Sequence, residues 1–508
     1  MKRFLLTLTM GIAALINTNA APLTLKITTE EKQTITGFGA ASLENLMRPT
    51  QDATIIRKAF NKTSVIGLNI LRMEMSPNME GDVNVGWDTP YDWKGQVTDV
   101  KAAIGCGAIV FATPWSPAAE LKTNGSAQGG NDESKPESER VRATLKYPEK
   151  LFPWFNKFMD YMRSQGAPVK YVSFQNEPDW WVNYSGCLYS PEQMYNVIKD
   201  NIKSLDRSHG EKFIAGEPLG FNTDYFHRLL NDPEVNAQCD VLAGHVYGSY
   251  DCKKNIATLR SWAPDKEIWM TEHSVSSEYR HIPSWHEELD FAEDVNECLI
   301  NGCNAYIYWY LCKDFGFIYD GTKYDQSACP GADNLKRGDI LNRGRIMGQF
   351  ARNLKGATLL KTSFSLPDGT KPATPGVNQR FETSVFKKGD SLIVNVIDTL
   401  PSSYEIKMVM PAKFVVKSLE RIQSTEGNIY VKDNPVIEPE LSEYTFAVPG
   451  RSFTTFIFKV EDADCAEGIE IDEQFNEPFS DEYFNISGQR INKPSQGMYI
   501  WNKKKYAQ

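Results

Sequence analysis

Eight short β-type runs alternate with amphipathic stretches along the first two thirds of the chain. The runs are Ile35–Ala40, Val65–Met73, Ala108–Thr113, Val169–Gln175, Lys212–Gly216, Asp240–Tyr247, Glu267–Thr271 and Ala305–Tyr310. Between them lie segments such as LFPWFNKFMDYMRS (151–164), whose apolar residues recur at spacings of three and four, and PEQMYNVIKDNIKSL (191–205). Parallel neighbours need a crossover long enough to hold a helix, so repeated strand–helix units imply a parallel sheet. Eight such units imply a closed (β/α)8 barrel, of the TIM type, over residues 36–352.

After residue 352 the pattern changes to alternating, β-branched runs: Val377–Val385, Ser391–Asp398, Tyr404–Val409, Phe414–Arg421 and Phe446–Val460, separated by Gly, Pro, Asp and Asn. This predicts a small antiparallel β-sandwich. The extended stretch Leu23–Gln33 can add a strand to it, so the side domain comprises 22–35 plus 353–460. Residues 461–508 form an acidic linker and a C-terminal tail. At the other end, Lys2 and Arg3 precede an apolar run from Phe4 to Ile16 and then NTNAA (17–21). That is the order of a secretory signal peptide, assigned to 1–20, and it predicts export to the periplasm, the outer-membrane surface or the medium. The run is too short to span a bilayer as a mature helix, and no membrane span is expected.

Composition narrows the partners. A net charge of −10 disfavours nucleic acid and anionic membrane surfaces, which reward basic patches. An aromatic content of 12% suits a neutral ligand that stacks on rings. The nine cysteines include no CxxC pair, and there is no HExxH among the six histidines, so neither a metal site nor a cofactor is expected. The spacings Cys239/Cys252 and Cys312/Cys329 allow disulfides without requiring them. A monomer is expected.

In a barrel the C-terminal strand ends share one mouth, where the active site lies. Here they carry Gly39, Arg72, Trp115, Asn176-Glu177, Glu217, His245 with Tyr247, Glu272 and Trp309. Aromatics, an arginine and glutamates converging on one rim predict a carbohydrate cleft. Glycosidic cleavage needs one protonated carboxyl and one carboxylate facing each other. Glu177 ends the fourth run and Glu272 the seventh, so closure sets them across the mouth. Glu217, at the fifth strand end, competes as a structural or subsite carboxylate.

With these residues in place, seven motifs in order resemble glycoside hydrolase family 30, within the retaining glycosidases of clan A. They are ITGFGAAS (35–42), GLNILRMEM (67–75), FATPWSP (111–117), VSFQNEPD (172–179), GHVYG (244–248), WMTEHS (269–274) and NAYIYWY (304–310). The resemblance covers residues 23–460 and is nearest to the bacterial glucuronoxylanase subfamily. It implies that Glu177 is the acid/base and Glu272 the nucleophile, with Asn176 on the sugar 2-hydroxyl. It further implies that Arg72 and Tyr247 hold Glu272 ionised, that Trp115, Trp309 and Trp180 form stacking walls, and that His245 lines the floor. The tail, with SGQR, PSQGMYI and a basic end, is similar to those of exported Bacteroidota proteins.

One departure bears on specificity. The subfamily grips a uronic acid branch with an arginine and, two residues on, a tyrosine after the eighth strand. This chain reads YWYLCKDFG (308–316), which places Lys313 and Phe315 there. Lysine lacks the bidentate fork that suits a carboxylate. The expectation is a retaining endo-β-1,4-xylanase acting on xylan or glucuronoxylan with weakened glucuronate dependence. The alternatives are another family 30 β-glycosidase (glucosylceramidase, β-1,6-glucanase or β-xylosidase) or a non-catalytic carbohydrate-binding protein.

Overall fold

The computed structural model describes residues 22–43, 50–77, 93–248, 251–274, 281–323, 331–365, 381–463 and four short strands beyond 482. The segment assigned to a signal peptide, Cys329 and Cys465 lie outside the described residues. Two units are present, 1–461 and 462–508.

In the first unit, strand β1 (Leu23–Thr34) precedes a closed parallel barrel. The barrel strands are β2 (Gly37–Ala41), β3 (Ile70–Glu74), β4 (Ile109–Thr113), β5 (Tyr171–Ser173), β6 (Lys212–Leu219), β7 (Val241–His245), β8 (Glu267–Glu272) and β9 (Ala305–Tyr308). Closure is made by pairs such as Gly39 with both Ile70 and Ile307. All eight predicted runs are barrel strands. The Val65–Met73 run starts late as a strand because Gly67, at φ +69°, turns the chain before Ile70.

Helices such as Leu151–Ser164 and Pro191–Asn201 cover the outside, the latter started by a capping box of Ser190 with Gln193. The barrel interior is stacked in layers. Ile70, Phe111, Tyr171, Ile214, Ala243, Trp269 and Ile307 fill the lower part as one apolar cluster. Two residues further on, the same inward faces present Arg72, Thr113, Ser173, His245, Thr271 and Trp309. One pleat therefore separates an apolar plug from a polar mouth.

The remaining strands are β10 (Thr358–Ser365), β11 (Phe381–Lys388), β12 (Ser391–Asp398), β13 (Tyr404–Val409), β14 (Phe414–Thr425), β15 (Asn428–Asp433), β16 (Glu443–Val448) and β17 (Ser452–Asp462). With β1 they form a single nine-stranded sheet in the order β15-β14-β17-β12-β11-β10-β1-β13-β16. The sheet curls around its own core of Leu25, Ile27, Val394, Val396, Phe456 and Phe458, among others. β1 runs parallel to β13, whereas β1–β10, β10–β11, β11–β12, β12–β17, β13–β16 and β14–β15 are antiparallel. The sheet docks on the barrel through the helix Asn342–Leu354. There the Gln349 side-chain amide donates to the carbonyls of Ile422 and Phe453 at 3.3 and 3.1 Å. The second unit contains a four-stranded antiparallel sheet of β18 (Tyr483–Asn485), β19 (Arg490–Ile491), β20 (Met498–Trp501) and β21 (Lys504–Ala507). Cys239 is a free thiol, so the Cys239/Cys252 bridge allowed by spacing is not formed. No described helix is long and apolar enough to cross a membrane.

Candidate active site

The mouth is laced together by the turn that follows β5. The Asn176 amide N–H donates to the Pro114 carbonyl at 2.9 Å, and the Gln175 side chain donates to the Trp115 carbonyl at 2.6 Å, tying β5 to β4. On the other side the Glu177 N–H donates to the Glu217 carbonyl at 3.1 Å, tying β5 to β6. Glu177 and Glu217 both adopt left-handed backbone, at φ 42° and 73°. Each precedes a proline, which ordinarily pushes its neighbour to extended geometry, so both conformations are strained and held by their surroundings.

Arg72, fully buried in the middle of β3, organises the charges. One arm of its guanidinium donates to Glu272, and the other donates to Asn176 Oδ1 at 2.7 Å and reaches Glu217 at 3.4 Å. Its plane lies under two aromatic rings, 4.5 Å from the centre of Trp115 and 5.4 Å from that of Trp309. Carboxylate oxygens of Glu177 and Glu272 and a ring nitrogen of His245 all lie within 4.8 Å of one another. His245 Nδ1 is 3.0 Å from Glu177 Oε1.

Burial raises the Glu177 carboxyl to about 7, with Arg72 pulling weakly against it. Burial also raises Glu272, but there the guanidinium is in direct contact and opposes the rise. Both carboxyls are raised, and only Glu272 is in direct contact with the guanidinium. Burial lowers His245 to about 4, so its imidazole is neutral at pH 7. Among the described residues, only Glu177, His245 and Glu272 are grouped closely enough to hold a metal ion. Arg72 already places a fixed positive charge on Glu272, which repels a cation at that point.

The other predicted residues divide. Trp115 and Trp309 are half-buried and 5.5 Å apart, flanking Arg72. Trp180 is 53% exposed, beside the turn, with its N–H on the Glu177 carbonyl. Tyr247 packs edge-on between His245 and His273, and Glu272 and Glu177 both oppose its ionisation. Arg72 is in direct contact with the Glu272 carboxylate. Lys313 has its Nζ 3.4 Å from both Asp314 and the Tyr310 hydroxyl. Phe315 is buried and stacked on Tyr319 at 5.9 Å, with left-handed backbone at Asp314 and Phe315.

Comparisons with known proteins point to a glycoside hydrolase. Residues 139–315 match the family model described as "Glycosyl hydrolase catalytic core". The glucuronoxylanase XynC of Bacillus subtilis (strain 168) is 23% identical over 459 residues, covering 89% of this chain and 95% of its own. The family 30 subfamily 8 xylanase Xyn30A of Clostridium acetobutylicum superposes with a TM-score of 0.64 at 25% identity, over 86% of this chain and 99% of its own. The chain is a glycoside hydrolase similar to family 30 xylanases in sequence and fold. A GH30 endoxylanase from Clostridium papyrosolvens C71 shares the hydrolase's fold, with a TM-score of 0.63 at 22% identity over 86% of this chain and 100% of its own.

Two further carboxylates shape the hydrolase's mouth, Asp179, which was not singled out from sequence, and Glu217, which was read there as a competing carboxylate. Asp179 accepts the Leu219 N–H at 3.0 Å, adding a second tie between the turn after β5 and β6, and burial raises its carboxyl to about 6. Glu217 shares Arg72 with Glu272 and is fully buried. A signal for it exists in the repeated Glu-Pro at successive strand ends, QNEPD (175–179) and AGEPL (215–219).

Proposed function

We propose that the chain is an exported, retaining endo-β-1,4-xylanase with weakened dependence on glucuronic acid branches. The observation that carries this reading is the approach of Glu177 and Glu272 to within 4.8 Å, with Glu177 raised to about 7 and Glu272 paired to Arg72. A retaining pair stands about 5–5.5 Å apart, whereas an inverting pair leaves about 6.5–9.5 Å for water. In the first step the Glu272 carboxylate attacks the anomeric carbon while Glu177 gives its proton to the leaving glycosidic oxygen. In the second, Glu177 takes a proton from water, which displaces Glu272 from that carbon. Asn176 spends its carbonyl oxygen on Arg72, so its NH2 is the donor available to a sugar 2-hydroxyl. Half-buried Trp115 and Trp309 and exposed Trp180 offer ring faces to sugars.

Xylan is favoured by the similarity to XynC and Xyn30A, which extends through both the barrel and the side sheet. Reduced branch dependence is favoured by Lys313, whose charge is shared with Asp314, and by the buried Phe315, which brings no hydroxyl. Proton NMR of the first product tests the mechanism: the β-anomer is expected, and the α-anomer overturns retention. Product mapping on glucuronoxylan, arabinoxylan and linear xylan tests specificity, with hydrolysis of all three expected. Cleavage positioned only by uronate branches overturns weakened dependence, and cleavage of β-1,6-glucan or aryl β-glucoside alone replaces xylan. Export is tested by the N-terminal sequence of the mature protein, expected to begin near residue 21.

A further inference from the structure

We infer that Glu217 is a positioning residue for the hydrolytic reaction, gripping Arg72 with its carboxylate and Glu177 with its backbone carbonyl. The inference rests on the acid/base and nucleophile roles proposed above. Glu217 follows Gly216, whose φ of +106° begins a bulge where the register of β6 on β7 shifts between Gly216 and Leu219. A Cβ at Gly216 would lie 2.6 Å from both the Ala243 carbonyl and the Phe226 ring, so the bulge is built around the absence of a side chain. The bulge rotates Glu217 into the barrel, where its carboxylate is completely buried.

Once there, its two oxygens reach different partners. Oε2 is 3.4 Å from the Arg72 Nη2, and Oε1 accepts the Thr113 hydroxyl at 3.3 Å. Arg72 Nη2 is the atom that also donates to Asn176. Glu217 therefore braces the outer arm of the guanidinium, leaving Nη1 aimed at Glu272. With Glu272, it makes two acidic partners for one guanidinium in a site where His245 is neutral. Its carbonyl simultaneously receives the Glu177 N–H, and Leu219 two residues on donates to Asp179. One bulge thus sets the orientation of the cation serving the nucleophile and the placement of the acid.

A carboxylate present only for packing and a positioning carboxylate part company on charge. Glu217→Gln keeps the shape and an oxygen for Arg72 but removes the negative charge. Arg72 is then shared less, so the ionised forms of Glu272 and Glu177 are both favoured. The acidic and alkaline limbs of the kcat/KM profile should both move toward lower pH, by about one unit. Glu217→Ala releases the guanidinium arm and should lower kcat by about 10- to 100-fold while KM changes less than about threefold. Both variants are measured on linear xylan beside Glu177→Gln and Glu272→Gln, with thermal melts confirming folding. A Glu217→Gln profile superimposable on the wild type overturns the inference, whether or not Glu217→Ala folds. If Glu177→Gln and Glu272→Gln keep wild-type turnover, the underlying reading fails as well. If those two are inactive while Glu217→Gln is unchanged, the positioning role alone is lost.

Discussion

The barrel mouth and the side sheet place their charges in opposite ways. In the mouth, Arg72, Glu217 and Glu272 are buried together beneath two tryptophans. In the side sheet, pairs such as Lys432 with Glu420 and Lys417 with Glu440 lie in water over an aliphatic and aromatic core. Desolvation makes the first arrangement expensive, and nothing in fold stability requires it. Surface pairs cost little and contribute little. The mouth therefore carries the marks of selection for chemistry, the side sheet those of selection for a scaffold.

The sharpest separation comes from Glu272→Gln. Turnover should fall by about 10⁴-fold or more, the scale of losing a covalent nucleophile, while the thermal midpoint holds or rises. Retained turnover would erase the functional distinction between the regions. Next in size, Arg72→Met leaves Glu272 and Glu217 buried without a cation and should cost about 3–5 kcal/mol in urea unfolding. Phe456→Ala, which opens the side-sheet core beside Phe446, should cost a similar 3–5 kcal/mol. Only the Arg72 variant should also lose activity per folded molecule.

A smaller effect links the regions through pH. Glu177 is raised to about 7, and Asp398, at the end of β12, is raised by burial to about 8. The folded chain holds these protons where the unfolded chain releases them. Their contribution is complete below the ordinary carboxylate range and is lost as pH rises through about 7 and then 8. Melting temperature should therefore be higher at pH 5 than at pH 8. Glu177→Gln should flatten the lower part of that slope, and Asp398→Asn the upper part. The smallest change is expected from Lys432→Ala, below about 1 kcal/mol and weaker still at high salt.

Much of the barrel was legible because strands buried on both faces leave apolar runs, and the apolar-to-polar switch at their ends marks the mouth. Glu177 and Glu272 stood out for that reason. The side domain's antiparallel strands were legible from their alternation, which does not report how a sheet curls or which distant strands meet. Glu217 was seen only as a competitor, since its role depends on a bulge that turns a strand-end residue inward. Phe315 shows the converse. Linear alignment set it at a uronate-binding loop, but left-handed backbone at Asp314 and Phe315 directs the ring against Tyr319.

The pairing of β1 with β10 and β13 has a kinetic consequence. Thr24 finds Ser365 and Lys407 as partners, so the first strand to leave the ribosome waits for nearly the whole chain before it can pair. Contacts this distant in sequence slow folding and keep sheet edges open in the meantime. For a chain proposed to be exported, that delay is useful: the side sheet cannot be completed on a partial chain. Loss of either β1 or β17, from opposite ends of the first unit, should accordingly damage the same sheet.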